Sequence, residues 1–175
     1  ARHGGPNGRE RVAASRRRLG RERLMTLAMM FGSAVTEHTV TVALAWGALN
    51  EWTTQAGYIQ LAKRSGHEVL SELLRRIAKQ EGRHIDFYVS QASRRLAASA
   101  RARQLTRLAL CHRWRPVGSG VMPETETDHL IDHLFGGHDG ASMAERIDRR
   151  VSQLPGLDEL GLVSSVRSRV VGVAT

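Results

Sequence analysis

The string Gln80-Glu81-Gly82-Arg83-His84 carries the sharpest chemical signal in the chain. In a helix, residues three apart leave the same face about 60° apart. Glu81 and His84 can therefore turn a carboxylate oxygen and an imidazole nitrogen toward one hard or borderline cation. One Glu-x-x-His match is unremarkable in 175 residues, and alone it reads as a surface Glu and a solvated His. Glu51 changes that reading. It lies 15 residues before Gly66, and Glu81 lies 15 residues after it. At about 1.5 Å rise per residue, both carboxylates sit roughly 22 Å from a turn at Ser65-Gly66, level with each other in an antiparallel hairpin. Glu51 is also set between Leu49 and Trp52 in an apolar stretch. A buried carboxylate without a partner is costly, so Glu51 is expected to be ion-paired, protonated or metal-bound. Arg83 offers the simple ion pair; Glu81 and His84 offer the metal.

The elements that must position these groups read as helices throughout. Residues 1–8 form a loose arm, and Arg9 to Met30 follow a helical pattern, very basic in its first half, with Arg16, Arg17, Arg18, Arg21 and Arg23. Gly32-Ser33 interrupts it. A second helix is expected from about Ala34 to Arg64, apolar around most of its circumference through Val40, Val42, Leu44, Trp46 and Leu49, which marks a buried helix. Ser65-Gly66 supplies the turn. A third helix, about Glu68 to Ala98, has Leu70, Leu73, Leu74, Ile77 and Tyr88 in helical spacing, and a shorter one covers about Ala102–His112. Trp114 to Pro123 is a loop, after which short helices are expected near 125–135, 141–153 and 157–170. No strand and no repeat is recognisable. The fold class is all-α: a helical bundle portion over 9–113, with a small helical appendage over 114–175.

Composition narrows the function classes. A hydrophobic content of 41% is ordinary for a globular protein. The longest apolar run, Val40 to Leu49, falls short of the roughly 18 residues of a membrane span. No secretory signal is visible, and the single Cys111 cannot form an internal disulfide, so a cytoplasmic location is expected. The net charge of +9, nearly all from Arg, points to an acidic partner or to a solvated basic surface. No Gly-x-Gly-x-x-Gly or P-loop string supports a nucleotide site.

Residues 37–88 resemble the second half of the di-iron core of soluble acyl-acyl carrier protein desaturases, within the ferritin-like superfamily. Asn50-Glu51-Trp52-Thr53-Thr54 is similar to the family's helix that contributes a lone bridging Glu, and Gln80–His84 to its Glu-x-Arg-His motif. Glu37, 14 residues before Glu51, has a counterpart at that spacing but is not read as a ligand. Weaker similarity runs through Val121-Met122-Pro123 and the acidic helix after it, so the match covers roughly residues 25–135. The resemblance implies a ferritin-like bundle in which Glu51 and Glu81 bridge two irons and His84 ligates one. Arg83 would hold a carboxylate in place. It further implies O2-dependent oxidation of an acyl chain, with acyl carrier protein and a ferredoxin-type electron donor as acidic partners.

The chain departs from the family by offering three of about six ligands. Upstream of Glu37 stand only Glu10 and Glu22, neither followed by His at three residues, and His3 precedes any helix. Three accounts follow: the chain is the C-terminal portion of a longer protein, the account we favour; a homodimer joins two half-sites; or the chain is a degenerate homologue with a structural or regulatory role. A basic nucleic-acid-binding protein using the Arg9–Arg23 helix is the rival from another class, though it lacks a helix-turn-helix or interleaved aromatics. His112, His129, His133 and His138, with Asp128 and Asp132 at helical spacing, are read as solvated faces. Cys111 is read as an idle thiol, and Trp46, Trp52, Tyr58 and Tyr88 as core.

Overall fold

The structure, a computed structural model, describes residues 37–119 and 122–173. Six helices make up nearly all of it: α1 (Glu37–Arg64), α2 (Glu68–Ala98), α3 (Ala100–Arg113), α4 (Glu124–Phe135), α5 (Gly137–Ser152) and α6 (Leu162–Val173). Among the described residues there is no strand, and no helix is long and apolar enough to cross a membrane. The expected loose arm and basic Arg9–Met30 helix lie outside the described residues, as do Glu10, Glu22 and His3.

The frame is the α1–α2 hairpin, 28 and 31 residues long. Gly66 adopts φ 60°, a left-handed conformation that favours glycine, and reverses the chain. His67 then caps α2, its Nδ1 accepting from the Leu70 backbone N–H. Residues equally far from the turn meet across the pair. Ser71 Oγ donates to the Ala62 carbonyl at 2.8 Å, and Gln55 Nε2 donates to the Ala78 carbonyl at 2.9 Å. One level further up, the Tyr88 ring lies so close to Gly47 that a Cβ there would stand 2.6 Å from it. These contacts fix the register on both sides of the Glu51 level.

The buried side of α1 is rich in small residues, including Ala45, Ala48, Ala56 and Gly57, so its neighbours approach closely. Leu49, Leu96, Leu110 and Leu157 are fully buried, and one apolar cluster runs from Ala45 in the hairpin to Val163 in α6. Each such leucine stabilises the fold by roughly 1.5–3 kcal/mol. Helices α3 to α6 therefore share the hairpin's core while covering one side of it.

The C-terminal boundaries differ from expectation. Helix α5 begins at Gly137, four residues before the expected 141, and α6 begins at Leu162, not 157. Residues 156–161 instead form a tight connection, with Gly156, Glu159 and Gly161 all at positive φ. Asp148 of α5 stops that connection and starts α6, its two carboxylate oxygens accepting from the Val163 and Ser164 N–H groups at 3.0 and 2.9 Å.

The apolar set expected on α2 also divides. Leu74 is buried, together with Ala78, Ile85, Ala92 and Leu96, and Tyr88 packs against that core. Leu70 and Leu73 are exposed. The inward face of α2 is built from alanines as much as from large residues, and its larger apolar residues occupy two faces.

Candidate metal centre

Glu51 stands near the middle of α1, on the turn that carries the buried Leu49 and Trp52. Glu81 and His84 stand on one face of α2, bracketed by the Gln55–Ala78 and Gly47–Tyr88 contacts that set the hairpin register. The result is convergence: each of the three residues offers a ligand atom within 4.8 Å of those of the other two. Among the described residues no other group of three His, Cys, Asp or Glu side chains does so.

Within the cluster, His84 Nδ1 and Glu81 Oε2 are 2.9 Å apart, a hydrogen bond between imidazole and carboxylate. The Glu81 side chain is 15% exposed and that of His84 61% exposed, so the cluster is closed on its Glu side and open on its His side. Burial pushes the Glu51 carboxyl above the ordinary carboxylate range. The Glu81 carboxyl reinforces this, by hydrogen bonding and by like charge, and His84 offsets a part. Two carboxyls pressed together in a half-buried site favour sharing a proton or binding a cation. Two carboxylate oxygens and an imidazole nitrogen suit iron, manganese or zinc, so the donors present fit the group that the sequence implied.

The surroundings settle the lesser expectations. Asn50, beside Glu51, accepts a hydrogen bond from Trp114 Nε1 at 3.0 Å, which ties the site's turn to the end of α3. Position 114 gave no sequence signal for this role. Trp52 is buried, and Trp46 and Tyr88 pack against the core, as read. Arg83 is exposed and makes no hydrogen bond or ion pair with another described residue, so neither its expected grip on a carboxylate nor a salt bridge to Glu51 is formed. It leaves α2 on the side away from α1, two residues past Glu81 and therefore about 160° round the helix from it.

Glu37 is exposed at the start of α1. His129 and His133 lie exposed on α4 with rings 6.4 Å apart, and His112 and His138 are exposed elsewhere. Cys111 is an exposed free thiol. None of these joins the Glu51 cluster.

Comparison of the chain with protein-family models, with curated proteins and with solved structures finds no match in any of the three. The geometry of the cluster and the physical chemistry of its donors are what bear on function.

Proposed function

We propose that this chain carries one half of a ferritin-like di-iron centre and belongs functionally with acyl-acyl carrier protein desaturase-like oxidoreductases. One observation supports this above the rest. Glu51 from one helix and a Glu81-x-x-His84 pair from the next come together at a common depth, with ligand atoms within 4.8 Å. That is half of the donor set by which helical bundles hold two metal ions: a Glu from each of two helices and a Glu-x-x-His from each of two others.

In this proposal Glu51, Glu81 and His84 would hold the metal. When bound, the iron pair would supply the oxidising power for O2-dependent attack on an unactivated acyl C–H bond, with electrons from a ferredoxin-type donor. The protein's own part is to hold the ligands still and to limit water. Trp52 and Leu49, both buried next to Glu51, exclude solvent from the closed side. The Asn50–Trp114 hydrogen bond keeps the α1 turn from rotating. The other three ligands must come from a further acidic, His-bearing helix pair. A second reading, a structural or regulatory protein on the same scaffold, is favoured by the 61% exposure of the His84 side chain.

Anaerobic loading with ferrous iron, followed by metal analysis after desalting, tests the proposal. Iron should bind at the cluster and be lost in Glu81→Ala and in His84→Ala. Iron content unchanged in both variants rejects the metal assignment. Retained iron with no O2-dependent oxidation of an acyl-acyl carrier protein, in the presence of reduced ferredoxin and the complementary ligands, favours the second reading.

A further inference from the structure

One face of α2 carries a heptad seam that no described element covers. Leu70, Leu73, Ile77, Gln80, His84 and Phe87 follow one another at alternating spacings of three and four residues, the spacing by which one helix meets another in a coiled coil. Helix α2 packs against α1 and α3 among the described helices. At His84 the seam meets α1, whose Glu51 offers a ligand atom within 4.8 Å, and elsewhere Leu70, Leu73, Gln80 and Phe87 are exposed. Leu70, Leu73 and Phe87 are 39%, 52% and 57% exposed. Large apolar residues repeating on one exposed line mark an interaction surface, whereas scattered single ones do not.

We propose that this seam docks an amphipathic helix of a partner protein whose flanks are acidic. The charge beside the seam selects the partner. On one side Leu74 is buried against the core, so that flank is closed. On the open side a groove of about 520 Å³ is lined by three cations, Arg76 and Arg83 one heptad apart with Lys79 between them, against one acid, Asp86. Arg76 is held only by Glu72, at 2.8 Å in an exposed pair within the helix, and Arg83 has no ion partner among the described residues. Exposed pairs of that kind contribute little and exchange readily. A second copy of α2 lying antiparallel would set Arg76 and Arg83 against the partner's Arg83 and Arg76, which is repulsive. An acidic helix meets the same flank with attraction, in keeping with the net charge of +9 on the whole chain. His84 lies on the seam, so docking would also cover the open edge of the metal cluster. That last link rests on the metal proposal; the docking does not.

The probe is a fluorescein-labelled synthetic helix of about four heptads with Leu at the seam positions and Glu at the flanks. Its control is the same peptide with Lys at the flanks. Fluorescence anisotropy at low salt should show the Glu peptide binding at least about tenfold more tightly than the Lys peptide, with the difference shrinking as salt is added. Leu73→Asp with Phe87→Asp should abolish binding and leave the circular dichroism unchanged, because both positions are exposed. Arg76→Glu with Arg83→Glu should reverse the preference between peptides. Equal binding of the two peptides, or binding that survives Leu73→Asp/Phe87→Asp, overturns the proposal. So does a dimer of the chain in light scattering that this double variant splits, since a second copy would then own the seam.

Discussion

Two faces of one helix teach the most about this molecule. The inward face of α2, through Leu74, Ala78, Ile85, Ala92 and Leu96, is sealed against α1 and the shared core. The neighbouring face carries Leu70, Leu73 and Phe87 with the polar Gln80 and His84 between them, and it lies open. Glu81 and His84 sit where the two meet: Glu81 is mostly covered and His84 mostly exposed. The inward face is where stability resides, and the outward face is where the chain has capacity to bind.

Mutations should separate the faces, and the largest effect is expected inward. Leu96→Ala, at a fully buried position, should destabilise by about 2–5 kcal/mol. Leu73→Ala, half-exposed on the seam, should change stability by roughly 0.5 kcal/mol or less. Urea unfolding midpoints check both, and equal losses would erase the distinction.

A smaller effect is expected where the faces are held in register. A methyl group at Gly47 would press on the Tyr88 ring at 2.6 Å, so Gly47→Ala should cost about 1–3 kcal/mol. Adding Tyr88→Ala should recover less than the full loss, because Tyr88 also packs on the core; a double-mutant cycle reads the coupling. Trp114→Phe keeps the packing and removes the hydrogen bond to Asn50, for about 1 kcal/mol.

The smallest effect concerns charge within the cluster. Burial and Glu81 raise the Glu51 carboxyl, so folding favours its protonated form. That contribution is complete below the ordinary carboxylate range and is lost as pH rises through the raised value. Metal-free Glu51→Gln should lack this loss. Its stability relative to the wild type should therefore improve on going from about pH 4 to pH 7, as thermal melts in the presence of a chelator would show.

How much of this was legible in the sequence follows the range of the interactions. The hairpin, its Ser65-Gly66 turn and the level of Glu51 with Glu81 and His84 follow from local spacing, and the described structure has them. The start of α6 does not, because the apolar rhythm of Leu154, Leu157 and Leu160 continues through a connection that positive-φ residues and a cap from Asp148 of another helix impose. The division of the α2 leucines was hidden for a similar reason. Its inward face is lined by Ala78 and Ala92, which carry little hydrophobic signal, while Leu70 and Leu73 carry much and face outward. Arg83 sits within the motif string, yet the helix turns it away from the carboxylates.

Whether Glu51, Glu81 and His84 together hold a divalent cation is decided by titration calorimetry with Co²⁺ in buffers of different ionisation enthalpy. Proton release on binding should grow as the pH is lowered, since burial raises the Glu51 carboxyl and a protonated Glu51 must lose its proton to become a ligand. Binding should vanish in Glu81→Ala and in His84→Ala and persist in the His129→Ala/His133→Ala double variant. Binding that survives both cluster substitutions, or that disappears with His129 and His133, would contradict the metal assignment.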